Sequence, residues 1–138
     1  MSDDLAFASA SEIAARIRAG DFSAREVLEL YFARIDRLNP KINAVIWEDR
    51  ARARAFAKQC DERQAREGSD ALPPLHGVPM TVKEHFNIVG APSCMGNPAL
   101  ADFRADEDGL PVQRLRAAGA NVFGKTNMPF MGIDLQSF

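Results

Sequence analysis

The segment Leu75-His76-Gly77-Val78-Pro79-Met80-Thr81-Val82-Lys83-Glu84-His85 constrains the fold more than any other part of the chain. Val78 to Val82 is apolar and β-prone, bounded by Gly77 and by the polar pair Lys83-Glu84, so it reads as a short strand. Pro79 lacks an amide donor and belongs at the strand's first residues or on an edge. Lys83, at the end of that strand, is fixed by a rigid element rather than carried on a loop. If neighbours bury it, desolvation disfavours the ammonium form and the side chain can serve as a base. Left in water, it is an ordinary strand-end lysine paired with Glu84. The segment alone is compatible with both.

The chain before this strand reads as helical over residues 1–68. Ser9-Ala10-Ser11-Glu12 has the form of a capping box, with Ile13 and Ile17 at helical spacing behind it and Gly20 as the stop. Ser23-Ala24-Arg25-Glu26 repeats the device, and Leu28, Tyr31, Ile35 and Leu38 form an apolar stripe that Asn39-Pro40 is expected to end. Ile42 to Trp47 fits a strand or a packed connector equally well. Residues 48–67 are rich in Ala, Arg, Glu and Gln, which favours a helix with a solvated, charge-alternating face.

After Lys83 the expected order over 75–138 is strand, loop, helix, strand, and the whole chain has the element order of an α/β protein. Residues 90–98 carry two glycines and two prolines and read as a long irregular loop. Pro111 fits the first turn of the next helix and Gly119 closes it, with Ala120 to Phe123 as a second short strand. Asp106-Glu107-Asp108 lacks the alternation of a calcium loop, because Arg104 stands where a carboxylate would be needed; these acids suit the start of the following helix.

Composition excludes several classes. Hydrophobic residues at 46% and charged residues at 26% are globular proportions, and a net charge of −2 gives no basic field for nucleic acid. No run is long enough to span a bilayer, and Met1-Ser2-Asp3-Asp4 does not open a secretion signal. Cys60 and Cys94 have no metal spacing, nor do His76 and His85, so a cytoplasmic chain with reduced thiols and no metal is expected.

Gly119-Ala120-Asn121-Val122-Phe123-Gly124-Lys125-Thr126 matches the phosphate-loop pattern G-x-x-x-x-G-K-[ST] letter for letter. A phosphate loop needs a strand before it and a helix opening at the lysine. Here a helix ends at Gly119 and Val122-Phe123 is strand-like. A nucleotide-binding module using Lys125 and Thr126 is therefore the alternative, with the context against it; a non-catalytic interaction domain is the other. A lysine closing a strand is the expected role of Lys125.

Taken together, these stretches resemble the amidase signature family. Leu75 to Glu84 is similar to its lysine segment, Ala118-Gly119-Ala120-Asn121-Val122-Phe123-Gly124-Lys125-Thr126-Asn127-Met128 to its second landmark A-G-A-x-x-x-G-K-T-N, and Asp134-Leu135-Gln136-Ser137-Phe138 to the approach to its signature region. The resemblance implies the amino-terminal part of one amidase domain over 1–138: an α/β/α sandwich around a large mixed sheet, incomplete here. It implies hydrolysis of a small-molecule amide through a Ser-cis-Ser-Lys triad with Lys83 as the triad lysine, no cofactor, and Met128, Phe130 and Met131 either as core or as a wall of the acyl pocket. The triad serines belong to a Gly/Ser-rich stretch that these residues do not contain. Neither Ser93 nor Ser137 matches a triad position. The chain by itself is therefore expected to be inactive and to present unpaired strand edges.

Overall fold

The computed structural model describes residues 3–133; the 134–138 segment with Ser137 lies outside the described residues. Two helices open the chain: α1 (Ala10–Ala19) and α2 (Ala24–Ile42). The Ser9 hydroxyl accepts the Glu12 amide at 3.2 Å to start α1, and Gly20 closes it in the left-handed region. At α2 the box is reciprocal: Glu26 N–H donates to Ser23 Oγ at 3.1 Å and Ser23 N–H donates to the Glu26 carboxylate at 2.8 Å. The Ser23 amide and hydroxyl hold the Glu26 carboxyl below its ordinary value.

Helix α2 does not stop at Asn39-Pro40 but continues through Pro40 to Ile42. A proline in the last turn removes a single intrahelical donor, and the Asn43 amide still reaches Asn39 O at 2.8 Å beyond it. The Asn39 carboxamide then grips Val45 from both sides, accepting its amide at 2.8 Å and donating to its carbonyl at 2.7 Å. That grip resolves the open reading of 42–47: Val45–Glu48 is a strand, β1.

Helix α3 (Arg50–Glu67) carries the expected charged face, with Arg54 bonded to Glu29 and Arg50 to Asp36 and Glu48 across to α2 and β1. Such exposed pairs contribute little each. Asp61 differs from them, because its carboxylate accepts the amides of Ala24 at 2.7 Å and Arg25 at 3.3 Å. One helix thus caps the free donors at the start of another.

Strand β2 (Pro79–Lys83) follows, with Pro79 as its first residue. Helix α4 (Leu110–Ala117) has Pro111 in its first turn and leads into β3 (Asn121–Thr126), which runs three residues beyond the expected end at Phe123. The Asp108 carboxylate, just before the α4 N-cap Gly109, makes no capping hydrogen bond there; it accepts the Val89 amide at 2.8 Å and pairs with Arg116. The sheet order is β1-β3-β2, with β3 parallel to β2 and antiparallel to β1. Mixed pairing of this kind makes the fold α/β, as its element order implied.

One face of β3 meets the helical layer, where Phe123 packs with Leu28, Phe32, Ala57 and Val78. The opposite face meets α4 and the loop after β2, where Val122 packs with Val82, Ile88, Ala91 and Val112. Helices or loops therefore cover β3 on both sides, which is why its sequence is almost continuously buried. The expectation that the Lys83 and Val122 strands lack neighbours is met only at the sheet's rims. β3 is flanked on both sides within this chain, while β2 and β1 each keep one edge that no described strand pairs.

Candidate active site

Lys83 ends β2, its Cα paired with that of Thr126. The backbone around it is tied down on every side. Glu84 N–H donates to Thr126 O at 3.1 Å, Phe86 N–H donates to Lys83 O at 3.0 Å, and Lys125 Nζ donates to Glu84 O at 2.9 Å. The Lys83 side chain itself is exposed. The structure thus combines a rigid backbone with a free amine, and the burial that would make this lysine a base is not supplied by the described residues. Nor does Lys83 pair with Glu84. The Glu84 carboxylate is turned inward, 1% exposed, and accepts the amides of Cys94 at 2.6 Å and Met95 at 2.8 Å.

The second lysine is in the opposite state. Lys125 is wholly buried, and its ammonium donates to Glu84 O, to Pro92 O at 2.5 Å and to Ser93 Oγ at 2.6 Å. Three donors meet three acceptors, so the group is fully satisfied. Burial pushes the ammonium below its ordinary value, while the neighbouring Glu84 carboxylate acts in the other direction. The phosphate-loop reading ends here: Lys125 sits inside a strand with every donor engaged, and no glycine-rich cradle forms around it. The Ser93–Lys125 contact is equally unsuited to nucleophilic chemistry, since Ser93 is 6% exposed and closed to a substrate.

A register slip brings Lys125 to this place. Met80 pairs with Val122 but Thr81 pairs with Gly124, leaving Phe123 as an extra residue in β3. Before the slip, Asn121 faces α3, donating to Ala53 O at 3.0 Å, and Phe123 lies in the helical cluster. In an unbroken alternation Lys125 would point the same way. The bulge resets the alternation, and Lys125 comes to lie on the side of its neighbour Val82, facing the 92–95 loop. Nothing in the sequence pattern announced this slip.

Two of the other candidates, Phe130 and Met131, meet that loop. The Met131 amide donates to Met95 O at 2.7 Å, and Gly96 lies so close to Phe130 that a Cβ there would stand 3.0 Å from the Phe130 Cα. Met128 is buried, whereas Phe130 and Met131 are half exposed. Glu84 thus links the backbone of Lys83 to the 94–96 turn, and that turn links to 130–131. The structure shows no direct contact between the Lys83 side chain and Met128, Phe130 or Met131. Glu84 and Lys125, which the sequence did not single out for the site, form its frame; the one signal for them was two charged residues inside otherwise apolar strand ends.

The amidase family profile matches residues 26–137. The chain belongs to the amidase family. It is 37% identical to the acylamidase of Rhodococcus erythropolis over 94% of this chain and 27% of that protein. It is 40% identical to the indoleacetamide hydrolase of Bradyrhizobium diazoefficiens over 88% of this chain and 23% of that protein. The chain thus spans about a quarter of the length of these amidase relatives. Among solved structures, fatty acid amide hydrolase superposes with a TM-score of 0.89 over 97% of this chain and 23% of that one, at 24% identity, a likeness of fold. Among the described residues no helix is long and apolar enough to cross a membrane.

Proposed function

We propose that this chain forms the amino-terminal part of an amide-hydrolysing enzyme and supplies the lysine, Lys83, of a Ser-cis-Ser-Lys triad whose two serines lie outside these 138 residues. The observation that supports it is the contrast at the end of β2: an exposed amine on a backbone anchored from three directions. In this reading the remainder of the domain covers Lys83 and removes water from it, favouring the neutral amine. The amine takes a proton from the bridging serine, which takes one from the nucleophilic serine as that oxygen attacks the amide carbonyl. The leaving amine carries the proton away, and water then releases the acid from the acyl-enzyme.

Two further features fit a piece of a larger domain. The outer edge of β2 is open, and a cavity of about 390 Å³ between α2 and the sheet is lined by apolar groups including Tyr31, Ile35, Leu38, Met80 and Phe123. Phe130 and Met131, partly exposed beside the 94–96 turn, would form part of the acyl-pocket wall, and the buried Met128 would serve as core. The substrate class is a small carboxylic amide.

The test is a chimera in which this chain replaces the matching first quarter of the Rhodococcus acylamidase. Amide hydrolysis is expected, falling by about 10²–10⁴-fold in Lys83→Met, the range of a general base. A Lys83→Met chimera with undiminished turnover would remove Lys83 from the triad. Turnover by the purified 138-residue chain alone would show that the serines are not required from elsewhere.

A further inference from the structure

The buried ammonium of Lys125 is three bonds deep in a frame that does not contain the Lys83 side chain but determines where its backbone sits. One donor fixes Glu84 O, in the Glu84–His85 peptide one residue beyond Lys83. The other two fix Pro92 O and Ser93 Oγ, and the Glu84 carboxylate fixes the next two amides of the same loop, those of Cys94 and Met95. The end of β2 and the 92–95 loop are therefore held to each other by a closed set of charge-assisted bonds, which are shorter and stronger than neutral ones. The ladder alone does not provide this, because β2 is an edge strand whose pairing to β3 ends at Lys83.

We infer that Lys125, acting with Glu84 and Ser93, is a positioning residue for Lys83: it sets the height and direction at which the Lys83 amine leaves the sheet. The inference rests on the proposed triad role of Lys83. A base must lie within hydrogen-bond reach of the proton it takes, and a displacement of about 1 Å can lower a rate about 10²-fold. Removing the ammonium frees Glu84 O, Pro92 O and Ser93 Oγ together and leaves the end of β2 and the loop joined through the Glu84 carboxylate, so Lys83 is loosened without being touched. The ionisable groups facing Lys125 are Glu84 and Cys94.

The experiment uses the acylamidase chimera with sites counted by titration to completion with a serine-directed fluorophosphonate. Lys125→Met is expected to lower kcat per titrated site by about 10–100-fold with KM within twofold, a loss in line with a displaced base. Ser93→Ala keeps the ammonium and two of its bonds, and should lower kcat per titrated site by a smaller factor with KM within twofold; it serves where Lys125→Met gives no folded enzyme. In the 138-residue chain, Lys125→Met should speed hydrogen exchange at the Cys94 and Met95 amides. Fewer titratable sites but unchanged kcat per site would reduce Lys125 to a structural role. Unchanged exchange at 94 and 95 would overturn the frame itself. Where Lys83→Met abolishes turnover but the Lys125 and Ser93 variants keep it, only this inference falls. Where Lys83→Met keeps turnover, the triad reading falls first.

Discussion

The carboxyl ends of β2 and β3 lie side by side in the sheet, and each carries a lysine: Lys83 in water, Lys125 with no exposed surface. By sequence the two are alike, each following a short apolar run and preceding a polar residue. The one whose chemistry calls for burial is exposed, and the one whose expected role was to close a strand is the buried centre of a bonded cluster. A lysine's role is set by what surrounds it in three dimensions. Position in a strand pattern does not report it.

The largest effect expected from breaking this contrast is in Lys125→Met. It leaves two carbonyls without their donor and a buried Glu84 carboxylate without its neighbouring positive charge, at a cost of about 3–5 kcal/mol. Urea unfolding of the chain measures it, and a change below 1 kcal/mol would mean that water or a rearranged loop takes the lysine's place.

Gly124→Ala comes next. A Cβ there would stand 2.8 Å from Trp47 O, so β1 must move off β3, with an expected loss of about 1–3 kcal/mol. Trp47 fluorescence should report the change. Ser93→Ala, which removes one acceptor of the ammonium, should cost about 1 kcal/mol. Lys83→Met should leave stability within about 0.5 kcal/mol, as an exposed substitution does. A lysine-selective acylating reagent, read by mass spectrometry, should modify Lys83 in the folded chain and spare Lys125. Equal modification would erase the distinction.

The smallest effect concerns His76, buried against α3 with its Nε2 3.0 Å from Cys60 O. Burial holds its imidazole below the ordinary value of 6.5. The unfolded chain therefore binds the proton more readily, and stability is full above pH 6.5 and declines as pH falls below it. The acids held low by arginine or serine partners, such as Glu29 and Glu26, act in the same direction but only nearer their own range below 4.5. Between pH 6.5 and 5 the decline should be shallow in the parent chain and flatter in His76→Gln.

Much of the fold was legible in local chemistry. The two serine caps, the stop at Gly20, the β2 strand with its leading Pro79 and the proline in the first turn of α4 all depend on residues within a few positions of one another, and a sequence displays such relations directly. The α/β order and the amidase family followed from motifs of the same short range. Tertiary contacts decided the rest. The α2 helix passes Pro40 because Asn39 and Asn43 secure its end, β1 exists because β3 offers an edge, and Asp61 caps a helix 37 residues away. Above all, the extra residue at Phe123 turns Lys125 toward the 92–95 loop. A bulge is a property of two paired strands, and only the paired structure could show which lysine would be buried.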